Sequence, residues 1–323
     1  MLDGTGRVRP LRARCGYGRA PMTTANLDRF TGFADLYDNV RPAPPAKLGR
    51  LLAAYAGVPR PQVVDLGSGS GLSTRWAAAW AASVVGIEPN ADMRAAADSR
   101  PAPGVTVKDA LAHATGLPDR SADVVVAVQA LHWMDPEPTL AEVARILRPG
   151  GVLAAIDADW PPVAGNARAE GAWVAIDRRF RVLEERLTAG EDPRAPIDES
   201  ALQLGTQDAG GGQRSRGPGV QSWDKSGHLQ RMRQSGHFAY VREVAVDEVV
   251  EGGAERFAAL LRSHGTYQML SRAGLSDEEL GVTQFDADVR GAYAAASVPY
   301  GLGFTWRARL AVLATDPAAR RPG

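Results

Sequence analysis

The chain has 323 residues, of which 45% are hydrophobic and 23% charged, and this is the composition of an ordinary globular protein with one large domain or two modest ones. Its 37 basic residues balance 37 acidic ones, so we expect no nucleic-acid partner, because that would need a concentrated basic face. No apolar run approaches the ~20 residues of a membrane span, and the single cysteine excludes an internal disulfide, so we expect a cytoplasmic protein without membrane association.

The N-terminal part divides at residue 22. Residues 1–22 carry five arginines and no apolar stretch, which predicts a disordered basic tail rather than a secretory signal. The alternative is that translation begins at Met22. Residues 23–57 have a helical pattern that Pro42, Pro44 and Pro45 divide into two helices.

Residues 58–157 alternate short apolar runs with helical stretches. This pattern predicts βαβ units, and runs that are apolar throughout predict strands buried on both faces. We therefore expect an α/β fold with a doubly wound, mostly parallel sheet and helices on both faces. The predicted strands are 62–67, 83–88, 105–107, 122–128 and 151–157, and Pro149-Gly150-Gly151 is expected to end the helix before the fifth strand.

The pattern is less regular after residue 157. Residues 158–236 are predicted to form a helical cap, with an amphipathic helix over 170–187 and a mobile Gly-rich loop over 204–220. Residues 237–323 are predicted to complete the sheet with two late strands, Phe238–Val246 and Phe304–Val312, and with helices near 253–264 and 276–296.

A glycine-rich turn follows the first predicted strand, in the run VVDLGSGSGLST. A triphosphate loop is excluded because no Gly-Lys-Ser/Thr follows. A dinucleotide turn needs a third glycine where Leu72 stands, and the carboxylate of Asp65 would repel a pyrophosphate. S-adenosylmethionine (SAM) fits better, because it carries no phosphate and has a cationic amino group that an acid attracts.

A second acid supports a nucleoside ligand. Glu88 ends the second predicted strand, 21 residues after Gly67, where a carboxylate can accept hydrogen bonds from both ribose hydroxyls. This acid alone does not separate SAM from NAD, and Asp65 and the glycine spacing make that distinction. A glycine-rich turn without a ligand is the remaining alternative.

Four motifs in order resemble the class I SAM-dependent methyltransferases: VVDLGSGSGLST, VVGIEPNADM, ATGLPDRSADVVVAVQALHW and EVARILRPGGVLA. The resemblance covers roughly residues 28–157 and is greatest to the small-molecule branch with trans-aconitate methyltransferase. It implies a Rossmann-like sheet of seven strands with one antiparallel strand near the edge, an N-terminal helical lid and an inserted helical cap. It also implies SAM as methyl donor and a small-molecule acceptor, and we expect no metal.

The resemblance assigns cofactor roles residue by residue. It implies that the methionine half of SAM lies against the turn, the ribose against Glu88 and the adenosine beside the residues that follow. The third motif departs from the family pattern, so either Asp109 reaches the adenine or the backbone near Ala112 holds it with His113 beside it. For His113 an exposed loop position is the alternative. The expected cofactor residues are Asp65, Gly67, Ser68, Gly69, Gly71, Glu88, Pro89, Asn90, Met93, Ala112, His113 and Gln129.

The run QALHW follows the fourth predicted strand, where the transferred methyl group would lie. Gln129 can bond the carboxylate end of SAM or the substrate. His132 is a candidate general base, needed only for an acceptor that carries a proton of high pKa, and a structural histidine is the alternative. Trp133 is expected to wall the pocket, with a cation–π contact to the sulfonium as the alternative.

The lid and the cap supply the other acceptor candidates. Arg29, Tyr37 and Arg41 are the polar groups that the lid offers; Arg41 is expected to pair with an acidic substrate or the SAM carboxylate, or to form a surface salt bridge. The cap offers aromatic candidates that could equally be ordinary core. They are Trp160, Trp173, Phe180 and Trp223.

The sequence therefore predicts an enzyme, monomeric or homodimeric, that transfers a methyl group from SAM to a small molecule by in-line displacement, with a carboxylate or hydroxyl acceptor favoured over carbon or nitrogen. The alternatives are a catalytically silent SAM- or partner-binding protein on the same fold, and NAD-dependent redox chemistry, which Asp65 and Leu72 disfavour.

Overall fold

The computed structural model describes residues 34–197, 213–215, 221–298 and 300–315. The predicted tail 1–22, Arg29 and most of the predicted loop 204–220 lie outside the described residues. The strands are β1 (Gln62–Leu66), β2 (Ser83–Ile87), β3 (Val105–Lys108), β4 (Ala122–Val128), β5 (Leu147–Ala158), β6 (Gln213–Ser215), β7 (Gln221–Trp223), β8 (Phe238–Val250) and β9 (Leu302–Leu313).

Helices pack on both faces of the sheet, and the predicted helix near 276–296 is two helices that meet at Gly281. The helices are α1 (Ala34–Val40), α2 (Ala46–Ala56), α3 (Leu72–Ala78), α4 (Ala91–Asp98), α5 (Pro136–Ile146), α6 (Ala167–Ala189), α7 (His228–Gln234), α8 (Ala254–Arg262), α9 (Gly265–Arg272), α10 (Asp277–Leu280) and α11 (Val282–Ala294). Short 3-10 turns occupy Leu131–Trp133 and Lys225–Gly227.

Seven strands form one open sheet in the order β3-β2-β1-β4-β5-β9-β8. The first five run parallel, and β9 is antiparallel to both β5 and β8. The predicted Rossmann-like sheet, with its antiparallel strand next to the edge, is confirmed. The strand order reverses beside β1, and ligands of such sheets bind at that point, beyond the carboxyl ends of the strands.

The central strands β1, β4 and β5 are largely apolar because alternate residues pack on opposite faces of the sheet, and both faces are covered. Val63 and Val124 join the core on one face, where α2, α6, α8 and α11 pack. Val64 and Val125 join the core on the other face, which α5 and α7 cover.

The fifth strand begins earlier than predicted. Helix α5 ends at Ile146, and Leu147 already pairs with Ala122 of β4, so Pro149-Gly150-Gly151 lies within β5 instead of ending the helix. The backbone pairing with β4, which no local motif encodes, decides this boundary. In the part of the chain that the structure describes, we find no helix of the length and apolarity needed to cross a membrane.

Candidate active site

A cavity of about 1130 Å³, including its mouth, lies over the carboxyl ends of β1, β2, β4 and β5. Apolar side chains and a few polar groups line it, as in the pockets that proteins use for small molecules and cofactors. The lining residues are Tyr37, Arg41, Pro42, Pro44, Gly67, Ser68, Gly69, Ser70, Leu72, Ser73, Ile87, Glu88, Pro89, Asn90, Met93, Ala112, Val128, Gln129, Ala130, Trp133, Met134, Ala158, Trp160 and Trp306.

The glycine turn between β1 and α3 forms the floor of this cavity. Gly67 and Gly69 have φ of 67° and 55°, which L side chains rarely adopt. A Cβ on Gly67 would stand 2.8 Å from the Cβ of Ala130, so the loop after β4 packs directly on the turn. The N–H groups of Gly67 and Ser68 donate to the carbonyl of Ile87 at 2.8 and 3.2 Å, which ties the turn to the end of β2.

Glu88 stands at the end of β2 and faces the turn. Its Oε2 accepts from the N–H of Gly69 at 2.9 Å, and its Oε1 accepts from the N–H of Asn90 at 2.9 Å. Burial raises the pKa of Glu88, although both backbone N–H groups act to lower it. Because each carboxylate oxygen can accept further bonds, Glu88 keeps acceptor capacity toward the cavity. The buried side chains of Met93 and Ala112 complete this end of the cavity.

Asp65 lies beneath the turn, fully buried, and is not part of the cavity lining. Its Oδ2 accepts from Ser73 Oγ at 2.6 Å, which holds the first turn of α3 against β1. Its Oδ1 has no hydrogen-bond partner among the described residues, and Ser68 Oγ is a second buried atom of this kind. Burial, together with the charge of Glu88, raises the pKa of Asp65 to about 7, against the opposing bond from Ser73.

A carboxylate of α1 attaches this helix to the turn. The Asp38 side chain is 3% exposed and accepts hydrogen bonds from Ser70 Oγ and from the guanidinium of Arg75. It also accepts from Arg100 Nη1 at 2.6 Å. Three donors from separate segments therefore converge on one buried carboxylate and hold α1 over the cavity.

Arg41 follows α1 and lines the cavity. Its guanidinium carbon lies 4.9 Å from the ring centroid of Tyr37 and 4.5 Å from that of Trp160, so the cation lies within reach of both rings. Its Nε donates to Ser263 Oγ at 2.8 Å, and its Nη2 to the Ser263 carbonyl at 3.2 Å. Burial lowers the pKa of Arg41. Trp306 of β9 is 2% exposed and walls the cavity nearby.

Beside β4 and β5 a buried ionic network supports the cavity wall. Gln129, at a φ of 54°, accepts from Lys225 Nζ at 2.6 Å. Lys225 Nζ also lies 2.8 Å from Asp157 Oδ1, and Arg309 donates to Asp157 Oδ2 at 2.9 Å. Burial acts to raise the pKa of Asp157, but the surrounding cations outweigh it and lower the value. His132 Nδ1 lies 3.9 Å from Asp157 Oδ1, so His132 belongs to this network.

Comparison with known proteins identifies the fold family. A family model described as "Methyltransferase domain" matches residues 64–155. An uncharacterised methyltransferase of Mycobacterium tuberculosis is 36% identical over 140 residues, which are 41% of this chain and 54% of that protein. An uncharacterised methyltransferase of Synechocystis is 33% identical over 156 residues, which are 41% of this chain and 72% of that protein. This chain belongs to the class I SAM-dependent methyltransferases.

A solved structure supports this methyltransferase fold. A candidate type II methyltransferase from Anaeromyxobacter dehalogenans aligns with a TM-score of 0.52 and 22% identity, over 86% of this chain and 99% of that chain. The alignment with the mycobacterial relatives spans about half of their length.

The structure brings most of the predicted site residues to one cavity. Four others lie off the lining: Asp65 beneath the turn, Gly71 at the start of α3, half-buried His113 in the loop after β3, and buried His132 in the ionic network. Those that line the cavity are Tyr37, Arg41, Gly67, Ser68, Gly69, Glu88, Pro89, Asn90, Met93, Ala112, Gln129 and Trp133.

The segment around Asp109 and the cap differ in part from the sequence-based alternatives. Asp109 pairs with Arg94 Nη2 at 2.8 Å, is largely exposed and does not line the cavity, whereas Ala112 does. Of the four aromatic candidates in the cap, Trp160 lines the cavity, Trp173 and Phe180 lie in the core, and Trp223 is buried away from it. Trp306 and Met134 were missed, because each reads as an ordinary core residue in the sequence. Among the described residues, no group of three or more His, Cys, Asp or Glu side chains could hold a metal ion.

Proposed function

We propose that this methyltransferase transfers a methyl group from SAM to a small-molecule acceptor held in the cavity over β1, β2, β4 and β5. The observation that carries the proposal is Glu88, which lines the cavity at the end of β2 while its carboxylate is fixed by the N–H groups of Gly69 and Asn90. A carboxylate held in this way is oriented to accept from two vicinal ribose hydroxyls.

The floor of the cavity fits the rest of the cofactor. Buried Ser68 Oγ and Asp65 Oδ1 have no hydrogen-bond partner among the described residues, and buried polar atoms are normally satisfied. These two atoms would form hydrogen bonds with the amino-acid part of SAM, and Asp65 would reach it through a small shift of the turn. Gly69 adds no side chain at the cavity, and a Cβ there would enter open space. The apolar sides of Met93 and Ala112 would flank the adenine ring.

The chain's task in methyl transfer is alignment and exclusion of water, because the sulfonium already activates the methyl carbon. Trp133, Trp160 and Trp306 supply apolar walls near the ends of β4, β5 and β9. The role of His132 as a general base remains a prediction. Its test is a His132→Ala variant, which as a base should keep SAM affinity and lose turnover.

Titration calorimetry with SAM, S-adenosylhomocysteine and NAD tests the cofactor assignment. We expect both sulfur ligands to bind and NAD not to bind. Glu88→Gln should weaken S-adenosylhomocysteine binding by about 1–3 kcal/mol, because it replaces a charged acceptor by a neutral one. Glu137→Gln, a change of an exposed glutamate at the start of α5, should leave the affinity unchanged. Tight binding of NAD without binding of SAM would overturn the proposal. A screen of acceptors with release of S-adenosylhomocysteine as readout then separates an enzyme from a silent binding protein.

A further inference from the structure

Gln129 begins the loop after β4 in a backbone conformation that L side chains rarely adopt. Among the described residues, it is one of two non-glycine residues with a positive φ, and its N–H donates to the carbonyl of Ile156 at 2.8 Å. Such conformations persist where the surrounding structure fixes them. The next residue, Ala130, packs on Gly67 of the glycine turn, and Gln129 lines the cavity. Gln129 therefore stands beside the turn, where the amino-acid part of SAM is expected.

The amide of Gln129 has a fixed orientation because of its contact with Lys225. The ammonium of Lys225 carries donors only, so the amide atom that faces Nζ at 2.6 Å is the oxygen Oε1. The other amide atom, Nε2, carries two N–H groups and donates to no protein group among the described residues. It is not one of the buried polar atoms without a partner, so solvent reaches it. Because Gln129 lines the cavity, these N–H groups are donors that a bound ligand can reach.

The ammonium of Lys225 is itself held by a buried carboxylate. Its Nζ lies 2.8 Å from Asp157 Oδ1, and Asp157 Oδ2 accepts from Arg309 at 2.9 Å. Arg309 Nε donates in turn to Glu243 at 2.8 Å, and the side chains of Asp157 and Arg309 are buried. Asp157, Arg309 and Glu243 stand on three neighbouring strands, β5, β9 and β8. The sheet thus fixes the position of the ammonium, and the ammonium fixes the amide of Gln129.

We propose that Lys225 is a positioning residue, which holds Gln129 as a hydrogen-bond donor to the carboxylate of the amino-acid part of SAM. This inference rests on the proposed function. A carboxylate accepts from the N–H groups of Gln129, whereas an ammonium group carries only donors and does not. The amino group of SAM has a separate place, because Asp65 lies beneath the turn and a carboxylate attracts it. The cation at Oε1 also polarises the amide of Gln129, which strengthens its N–H groups as donors.

The test compares SAM with decarboxylated SAM, which lacks only the carboxylate, by titration calorimetry. We expect the wild type to bind SAM about tenfold to a hundredfold more tightly, because a hydrogen bond to a charged group is lost with the carboxylate. Lys225→Met keeps the length of the side chain and removes its donors, so it should lower this ratio of affinities by about fivefold. Lys225→Arg, which keeps a cationic donor, should recover part of this loss. Lys47→Met, at an exposed lysine of α2, is the matched control and should leave the ratio unchanged.

Two variants of Gln129 test whether Lys225 acts through this residue. In Gln129→Glu the new carboxylate still accepts from Lys225 but offers no N–H group, so SAM should bind about tenfold more weakly, whereas decarboxylated SAM should not lose affinity. Adding Lys225→Met to Gln129→Leu should bring no further change in the ratio, because the amide that Lys225 orients is already gone. Should Lys225→Met fail to fold, Gln129→Glu decides the inference by the same ratio.

Three results would overturn the inference while leaving the proposed function intact. The first is equal affinity of the wild type for SAM and decarboxylated SAM. The second is an equal loss of both affinities in Lys225→Met, which a purely structural role of Lys225 would give. The third is unchanged binding of SAM by Gln129→Glu, which would assign the amide of Gln129 to the acceptor. Absence of SAM binding in the wild type would overturn both the inference and the proposed function.

Discussion

Replacing Asp65 by asparagine should make the stability of the protein depend less on pH. The pKa of Asp65 is raised from 3.8 to about 7 by burial, so the native state holds a proton that the unfolded chain has lost between these two values. Stability therefore falls as pH rises through this window and stays low above it. Asparagine keeps the shape and an oxygen for Ser73 Oγ, but it does not ionise.

The size of the effect follows from the two pKa values. At pH 8 the charged form of Asp65 costs the native state about 4 kcal/mol, because the shift of about 3 pH units is worth 1.36 kcal/mol per unit. At pH 5 only about 2 kcal/mol of this cost is present. The unfolding free energy of Asp65→Asn relative to the wild type should thus rise by about 3 kcal/mol between pH 5 and pH 8. If the asparagine amide costs stability by the same amount at every pH, that cost cancels when the values at pH 5 and pH 8 are subtracted.

Chemical denaturation of both proteins at pH 5, 6, 7 and 8 measures this change. Asp92→Asn, at an exposed position in the first turn of α4, is the control and should follow the wild type at every pH. A difference between Asp65→Asn and the wild type that stays constant within about 1 kcal/mol across this range, or that shrinks with pH, would refute the reasoning.

Two further predictions concern α1 and the glycine turn. Asp38→Asn should speed the release of S-adenosylhomocysteine by about tenfold in stopped-flow measurements, because the three donors from Ser70, Arg75 and Arg100 lose their charged acceptor. As a control, 1 M salt should speed release from the wild type more than from the variant. Equal release rates in both proteins would contradict the role of Asp38. Gly69→Ala should cost about 1 kcal/mol of stability because its φ is 55°, and it should weaken S-adenosylhomocysteine binding, whereas Gly171→Ala, at an exposed position in the second turn of α6, should raise the melting temperature. Unchanged ligand affinity in Gly69→Ala would show that the Cβ does not meet the ligand.

The strands and the turn could be predicted because their signals are local. A strand buried on both faces is mainly apolar, and the buried residues of β1, β4 and β5 are apolar except for Asp65 and Asp157. Gly67 and Gly69 adopt positive φ, which accounts for glycine at these positions. The acid that ends β2 stands at the cavity because parallel strands present their carboxyl ends at the same edge. Twelve of the predicted residues line one cavity, and ten of these lie outside the N-terminal segment that holds Tyr37 and Arg41.

The orientation of single side chains required the tertiary structure. Asp65 and His132 belong to segments that were placed correctly, yet one turns beneath the helix toward Ser73 and the other toward Asp157. Packing between neighbouring elements selects these directions, and the motif alone does not encode them.

By itself, then, the sequence determined the parallel strands and the glycine turn, because hydrophobic period and local backbone conformation depend on neighbouring residues. The methyltransferase family followed from the resemblance of its four motifs. Only the tertiary structure decided what surrounds Arg41. Arg41 meets Ser263, 222 positions away, and Trp160 and Trp306 come together because β5 pairs with β9. Contacts between such distant segments depend on how the helices and the sheet pack, and local sequence patterns do not predict them.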